Sequence, residues 1–547
     1  MKNFNFLMLL ILVIFVAIAY SAERTESILK PNDRIVFAGD SITGQGWNNG
    51  DGFIHLIDNA LRQANPDSTG VRIPLGGSGQ SVGSWQGVEK GSRDKSAFLD
   101  VKGFDVKTEL DKPADVLIIM LGMNDILAPY VSESQESQEN WVKQYKQLLS
   151  QLRERVKPRV IALGTITPYT ENLTSPANLV RDSLNRRISL LAQEEKCLLL
   201  PSGQRSSEIL QYGRSLSPDF RVTGDYVHPS RAGHLAIALG MLDGLGEHAL
   251  AQQMGDKLLM PIYQQALTKK PSLSYRIEPI ESKVDAATST FRVRYWYNSD
   301  IASKQLQIRL ITPANWVSNQ NLLSTSTGEF NVTGADYKFR TPLTLEARDG
   351  DVVTTTTVNI PAPWLVALGA PCNTAFPGNQ FNAASAVLPA DEKLMAGEGF
   401  GQPVVISPTQ SLTWHRYFAT SDYPGGDDPD SVSYLSLGFF QHFYVAYAAR
   451  WIYSEKDRNV KITPGSRAFA GNNYAAVWMN AEQIYNGPLT RNSVDSKLKA
   501  GWNLLIFRSN HLTWQWQVTM TMKAGDDADD LSDIRYSVQL SRPIEKP

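Results

Sequence analysis

The segment Arg34-Ile-Val-Phe-Ala-Gly-Asp-Ser-Ile-Thr43 decides how the first half of this chain folds. Its unbroken apolar run stops at Gly39, and the polar residues Asp40 and Ser41 follow at once. Apolar runs without alternation are typical of parallel strands that are covered on both faces. Glycine permits a sharp turn at the carboxyl end of such a strand. We therefore expect Ser41 at the mouth of a sheet, where open α/β folds place their ligands.

The same pattern recurs up to about residue 260. Further apolar runs predict buried strands at Val116–Leu121, Val160–Leu163 and Cys197–Leu200. Apolar residues at three- and four-residue steps predict helices around Trp141–Leu152, Leu179–Leu191 and Leu235–Leu245. This alternation of strands and helices predicts a doubly wound α/β domain.

The pattern of residue types changes after Pro271. Short runs rich in Val, Thr, Ile and aromatic residues alternate with turn residues, and no long helical pattern follows. The pattern predicts a small immunoglobulin-like β-sandwich and a larger jelly-roll β-sandwich, joined near Pro361-Ala-Pro363. The predicted boundaries are 1–22 for a signal peptide, 23–268 for the α/β domain, 269–362 for the first sandwich and 363–547 for the second.

Composition excludes several classes of protein. The 547 residues are 42% hydrophobic and 20% charged, which is ordinary globular usage and excludes a disordered, a collagen-like or a multi-span membrane chain. Lys and Arg (53) nearly balance Asp and Glu (55), so nucleic acid is not expected as a partner. Cys197 and Cys372 are too few for a disulfide framework or a four-thiolate zinc site, and we expect both to be unpaired. No cofactor is expected.

The first residues have the pattern of a targeting segment. Lys2 is followed by an uncharged run, Asn3–Ala22, whose central part Leu7–Ala19 is entirely apolar. Small residues at positions 19 and 21 stand where a signal peptidase reads them. This predicts a bacterial secretory signal and a secreted or periplasmic protein. The run is also long enough for an uncleaved single-span anchor, which would bring the protein into contact with the membrane.

Four short blocks in the α/β region carry residues suited to acyl-transfer chemistry. They are Gly39-Asp40-Ser41, Ser78-Gly79, Gly122-Met123-Asn124-Asp125 and Asp225-Tyr226-Val227-His228. Each block alone is more typical of a helix cap or a turn. Each nevertheless follows a predicted strand or lies on a loop after one. In the last block, the carboxylate can hold one imidazole nitrogen and leave the other free as a base.

Taken together and in this order, the four blocks resemble the SGNH subset of the GDSL esterase/lipase superfamily over residues 30 to 250. The resemblance implies a flavodoxin-like three-layer fold with Ser41 as nucleophile, His228 as base and Asp225 as its orienting carboxylate. It also implies an oxyanion hole made by the backbone N–H groups of Ser41 and Gly79 and the side-chain amide of Asn124. Gly76 and Gly77 leave the register of the glycine block open by a few residues.

The C-terminal region carries a looser resemblance. Trp478-Met479-Asn480 and Gly501–Ile506 are similar to parts of the galactose-binding-like jelly rolls that are attached to many secreted carbohydrate-active enzymes. The resemblance identifies no binding residues. It does link the predicted hydrolase to proteins that act on carbohydrates.

These features predict a secreted serine esterase that removes acyl groups, in particular acetyl groups, from a carbohydrate or another small ester substrate. One alternative is a lipase or general carboxylesterase. A second is a metal-dependent hydrolase with Asp40, Asn124, Asp225 and His228 as ligands. A third is a non-catalytic carbohydrate-binding envelope protein in which the β domains carry the function.

Overall fold

The computed structural model describes most of the chain. The described residues are 27–89, 98–127, 130–217, 220–267, 272–280, 283, 286–298, 305–339, 341–371, 389–397, 400, 402–407, 410–419, 430–437, 444–465, 473–489, 492–511, 516–526 and 529–544. The predicted signal peptide and Cys372 lie outside them. Among the described residues, no helix has both the length and the apolar character needed to cross a membrane.

The N-terminal region is built on a parallel sheet of five strands within the described residues. The strands are β1 (Arg34–Gly39), β2 (Val71–Gly76), β3 (Val116–Met120), β4 (Val160–Gly164) and β5 (Leu198–Leu200). Their order across the sheet is β2-β1-β3-β4-β5. Gly39 is in register with both Gly76 and Met120, so the loops that follow the first three strands open at the same edge. This arrangement confirms the predicted α/β sheet.

One strand of this sheet is hard to recognise in the sequence. β2 contains Pro74, which cannot donate a hydrogen bond to a neighbouring strand and is tolerated mainly in edge strands. The structure places β2 at the edge of the sheet, paired only with β1 among the described strands.

Helices cover the sheet. They are α1 (Ser41–Asn48), α2 (Phe53–Ala64), α3 (Val82–Glu89), α4 (Val106–Leu110), α5 (Met123–Leu127), α6 (Gln135–Val156), α7 (Pro176–Glu194), α8 (Ser202–Leu216), α9 (Arg231–Gly244), α10 (His248–Met254) and α11 (Met260–Leu267), with a π-helical turn at Gly255–Leu259. The three predicted helices correspond to α6, α7 and α9. Strand residues such as Val36, Ile118 and Leu163 are fully buried in one hydrophobic core with apolar residues of the helices.

The middle region contains two antiparallel sheets. Their strands are β6 (Ser272–Pro279), β7 (Ser289–Asn298), β8 (Gln307–Ile311), β9 (Trp316–Ser318), β10 (Leu322–Leu323), β11 (Thr327–Gly334), β13 (Thr341–Asp349) and β14 (Val352–Ile360). One sheet has the order β10-β8-β13-β14 and the other β6-β7-β11-β9. The alternation of buried and exposed residues along β8 and β13 places one face of their sheet in the core.

The C-terminal region contains a large branched sheet, a four-stranded sheet and a small hairpin. Its strands are β15 (Trp364–Pro371), β16 (Val404–Ser407), β17 (Gln410–Leu412), β18 (Trp414–Tyr417), β19 (Ser431–Ser433), β20 (Tyr444–Ser454), β21 (Arg458–Gly465), β22 (Asn473–Met479), β23 (Glu482–Pro488), β24 (Val494–Leu498), β25 (Gly501–His511), β26 (Gln517–Ala524) and β27 (Arg535–Ser537). A short helix, α12 (Pro389–Met395), and a 3-10 turn at Tyr434–Leu437 interrupt them. This sheet-rich region confirms the predicted β-sandwich class.

The two β regions are joined by strand pairing. A short strand of the middle region, β12 (Tyr337–Lys338), pairs with β27 near the end of the chain. One hydrophobic cluster also runs through both regions and includes Val332, Trp364 and Phe507. The two regions are therefore packed on each other through a shared core. The individual domain boundaries and the immunoglobulin-like and jelly-roll topologies remain predictions.

Candidate active site

Ser41 lies at the turn from β1 into α1. Asp40 caps the helix, because its carboxylate accepts a hydrogen bond from the backbone N–H of Ile42 at 2.9 Å. A side chain at Gly39 would place its Cβ 2.1 Å from Thr43 Oγ1, so the turn needs glycine there. Ser41 is the first residue of α1, and its backbone N–H therefore has no partner within the helix.

Asp225 and His228 lie on a loop that returns to the same edge of the sheet. The carboxylate of Asp225 organises this loop, since its Oδ1 accepts from the backbone N–H groups of Val227 at 3.1 Å and His228 at 2.7 Å. Gly224 N–H also donates to the carbonyl of His228 at 2.8 Å. The three-residue spacing of Asp225 and His228 thus closes a tight turn with both side chains on one side.

The structure brings Ser41, His228 and Asp225 into one hydrogen-bonded chain. His228 Nε2 lies 2.9 Å from Ser41 Oγ, and His228 Nδ1 lies 2.7 Å from Asp225 Oδ2. Asp225 is the most exposed of the three residues, with 61% of its side chain accessible, whereas 27% of the His228 side chain is accessible. The three groups therefore form an open site on the rim of the domain.

Asp225 and His228 each stabilise the charged form of the other. Burial of the imidazole by itself lowers the pKa of His228, but the hydrogen bond and the charge of Asp225 outweigh it and raise that pKa above its ordinary value. Burial likewise acts to raise the pKa of Asp225, and its bonds to His228 lower it overall. The arrangement favours an imidazolium held beside a carboxylate.

Gly79 and Asn124 follow the ends of β2 and β3 at this edge, Gly79 on a loop and Asn124 in the first turn of α5. Asn124 is buried at the start of α5, and its Nδ2 donates to the carbonyl of Gln80 at 2.9 Å. This bond fixes the amide and uses one of its two hydrogens. Gly79 has a φ of 71°, a conformation that favours glycine. The sequence prediction of Gly79 rather than Gly76 is compatible with this geometry, because Gly76 lies inside β2.

The loop that carries Thr170 and Glu171 supports the segment of Asp225 and His228. No motif in the sequence predicted this contact. The buried carboxylate of Glu171 accepts from Thr223 N at 3.0 Å and Thr223 Oγ1 at 2.6 Å. The backbone N–H of Thr170 donates to the carbonyl of Tyr226 at 2.7 Å. Tyr226 and Thr170 both have positive φ angles, 74° and 59°. The two loops are 52 residues apart in sequence, and no local motif links them.

Two buried carboxylates, Asp40 and Asp125, flank the site. Burial raises the pKa of Asp40 to about 7 and that of Asp125 to about 6. Asp125 accepts from the backbone N–H of Val82 at 3.2 Å and so ties α5 to α3. Within the described part of the chain, no three His, Cys, Asp or Glu side chains are grouped so that they could hold a metal ion.

His234 lies close in sequence to His228 but has another environment. It is buried in α9, its Nε2 lies 3.1 Å from Asn49 Nδ2, and its ring packs against Phe53. Burial lowers its pKa to about 4, so the ring stays neutral across the range in which His228 titrates. His234 is a packing residue in this structure.

The N-terminal region of this chain is similar to known proteins. Residues 37–236 match the model of the GDSL-like Lipase/Acylhydrolase family. An acetylxylan esterase of Geobacillus stearothermophilus is 26% identical over 226 residues, which are 39% of this chain and 94% of that protein.

Two solved structures are similar over the same region. One is a crystal structure of an acetylxylan esterase from Geobacillus stearothermophilus, with 21% identity and a TM-score of 0.31, covering 41% of this chain and 97% of the other. The other is an alpha/beta hydrolase enzyme from the metagenome of Lake Arreo, Spain, with 21% identity and a TM-score of 0.31, covering 41% of this chain and 98% of the other.

The family match spans all four blocks from Gly39 to His228 and the sheet edge on which they meet. Residues 37–236 of this chain are therefore similar to GDSL-like lipases and acylhydrolases, which supports a hydrolase of ester bonds.

Proposed function

We propose that this protein is a serine esterase that removes acetyl groups from a carbohydrate outside the cytoplasm. The observation that carries the proposal is the hydrogen-bonded chain from Ser41 Oγ through the His228 ring to Asp225. Ser41 is the nucleophile, His228 the general base and Asp225 the group that orients the ring. The secreted or periplasmic location is proposed from the leader sequence in residues 1–22.

The reaction begins when His228 Nε2 takes the proton of Ser41 Oγ as that oxygen attacks the ester carbonyl. The tetrahedral oxyanion accepts hydrogen bonds from the N–H groups of Ser41 and Gly79 and from the second hydrogen of Asn124 Nδ2. One such donor typically lowers the barrier by about 2.7–4 kcal/mol. His228 then gives its proton to the departing sugar hydroxyl. Water, activated by His228, releases acetate from Ser41 in the second half of the reaction.

The surroundings of Ser41 favour a carbohydrate ester over a long-chain lipid. Asp100, whose charge acts on His228, is exposed and accepts a hydrogen bond from Ser78 Oγ at 2.6 Å. Asp51 and Arg231 form an exposed ion pair at 3.4 Å on the side of His234. Such polar groups offer hydrogen bonds to sugar hydroxyls, whereas a long acyl chain needs accessible apolar surface. The similarity to an acetylxylan esterase supports the same assignment.

Acetate release from a panel of acetylated polysaccharides tests the proposal, with the native chain compared to Ser41→Ala. We expect acetate release from at least one polysaccharide and a loss of at least about a thousandfold in the variant. Equal turnover by both chains would overturn the role of Ser41. The lipase alternative is tested with 4-nitrophenyl esters of increasing length, because faster turnover of long acyl chains than of acetate would contradict the acetyl assignment.

A further inference from the structure

A large cleft lies where the two β regions meet. It has a volume of about 910 Å³. A second lobe of about 470 Å³ continues it and shares Trp502 and Arg542 with it. Small-molecule sites typically have volumes of about 300–1,000 Å³ and prefer the junctions of domains. The continuous shape suits an extended ligand.

The walls of this cleft are fixed. Its floor contains Tyr337 and Tyr536, which are both buried and are paired residues of β12 and β27. These two strands join the middle and C-terminal regions, so the two walls cannot separate without breaking the strand pair and the shared hydrophobic core. A cleft with such walls is formed before a ligand arrives, which lowers the entropic penalty of binding.

The surface of the cleft combines an aromatic side chain with uncharged hydrogen-bonding groups. Trp502 lines both lobes, and its ring meets the ring of Tyr453 edge to face at 5.3 Å between centroids. Asn315 lines the first lobe from the middle region, and Gln539 and Ser541 line it from the C-terminal segment. Amides and hydroxyls both donate and accept, as sugar hydroxyls do, while an aromatic face packs on the C–H face of a sugar ring.

The described lining of the cleft carries two cations, Arg535 and Arg542, and one carboxylate, Asp336. Arg535 Nε lies 3.6 Å from Asp336 Oδ1, and Arg542 Nη2 donates to the carbonyl of Trp502 at 3.1 Å. A strongly anionic ligand would need several cations, whereas the described lining residues supply two, one of which is paired with Asp336. The lining therefore favours an uncharged ligand.

We propose that this cleft is a non-catalytic binding site for a neutral oligosaccharide chain. Trp502 provides the stacking surface, and Asn315 and Gln539 hydrogen-bond to sugar hydroxyls from opposite walls. Such a site would hold the polysaccharide on the protein independently of ester hydrolysis at Ser41.

The test uses the full chain carrying Ser41→Ala, so that binding is measured without hydrolysis. Retention is measured on insoluble xylan, cellulose and mannan as neutral polysaccharides, and on calcium alginate and polygalacturonate as anionic ones. We expect retention on at least one neutral polysaccharide. We expect Trp502→Ala to weaken it at least about tenfold, and Asn315→Ala or Gln539→Ala to weaken it about threefold or more. Gln483→Ala, an exposed glutamine on β23 outside the cleft, is the matched control and should bind normally.

The same three cleft substitutions are then made in the chain with Ser41 intact. Turnover of 4-nitrophenyl acetate should stay within about twofold, because the cleft does not touch the hydrolase site. Since Trp502 is partly buried, the double variant Asn315→Ala/Gln539→Ala serves if the Trp502 variant fails to fold. Failure of every neutral polysaccharide to bind, retention on anionic polysaccharides alone, or normal binding by the double variant would overturn the proposal. None of these results bears on the esterase assignment, which depends on Ser41.

Discussion

His228 Nε2 lies 2.9 Å from Ser41 Oγ, although the two residues are 187 positions apart in the sequence. The distance is short because β1 ends at the same edge of the sheet to which the 223–228 loop returns. Ser41 sits on a capped helix start and His228 on a turn closed by Asp225, so both side chains are held by local hydrogen bonds.

Replacing Asp225 by Asn should lower kcat/KM by about 10³–10⁴-fold. Both oxygens of Asp225 accept hydrogen bonds from the loop, so an amide must turn its NH₂ toward one of those donors. The imidazole then loses its orientation and its correct tautomer. Initial rates on 4-nitrophenyl acetate at several substrate concentrations measure the effect. A decrease of less than about tenfold would show that Asp225 has only a structural role.

The pH dependence of the reaction should follow His228. The base must be neutral, and its pKa is raised, so activity should fall on the acid side with a midpoint above the ordinary histidine value of about 6.5. In the Asp225→Asn variant the midpoint should move to lower pH. His234→Gln is the control, because burial holds the pKa of His234 near 4 and its loss should leave the midpoint unchanged. A wild-type midpoint below 6 would contradict this account.

Asn124→Ala should reduce kcat by about 10²–10³-fold with little change in KM. The amide of Asn124 donates to Gln80 and has a second hydrogen available for the oxyanion. Stabilisation of the transition state is lost in the variant, while substrate binding is retained. Asn124→Asp has the same shape but places a carboxylate beside the oxyanion, and it should be at least as slow. The melting temperature of each variant separates a catalytic defect from a folding defect.

Thr223→Val should reduce kcat by about threefold to tenfold. The substitution preserves shape and the backbone bond to Glu171, but it removes the 2.6 Å bond from Thr223 Oγ1. The loop of Asp225 and His228 then gains freedom, which should also move the acid limb of the pH profile toward lower pH. Thr174→Val removes a comparable bond of an exposed threonine, to Asn172 at 2.8 Å, and should leave kcat unchanged. Equal effects of the two substitutions would contradict a positioning role.

Asp40 should make the protein less stable as pH rises from about 4 to 7. Burial raises its pKa in the folded state to about 7, so the folded state holds the proton more tightly than the unfolded chain. The stabilising contribution is complete below the unfolded value of about 4 and is lost as pH rises through 7. Asp40→Asn keeps a side-chain oxygen that can accept the hydrogen bond from the Ile42 N–H. Its melting temperature should therefore depend less on pH over this range.

Asp105→Asn changes an exposed N-cap of α4 and is the control for that measurement. It should keep the wild-type fall in melting temperature between about pH 4 and 7. An unchanged slope in Asp40→Asn would mean that Asp40 stays ionised in the folded protein.

Local sequence determined the elements of the hydrolase domain and the chemical character of its site. The apolar runs at β1, β3 and β4 are long, unbroken and bounded by Gly, so periodicity alone identifies buried parallel strands. The roles predicted for the four blocks came from their joint resemblance to a known family, because each block alone is as typical of a cap or a turn. The pattern of β2 is weaker, since Pro74 and Arg72 interrupt it.

Only the tertiary structure decided which distant groups act on one another. Glu171 contacts Thr223 because two loops leave the sheet side by side. Neither residue belongs to a sequence motif that would predict this contact. The cleft beside Trp502 exists because β12 pairs with β27, nearly 200 residues later. The spacing of residues that are close in sequence predicts hydrogen bonds within a turn or a helix. Contacts between loops depend on how the sheets and their layers are ordered, and that order is set by packing of the whole chain.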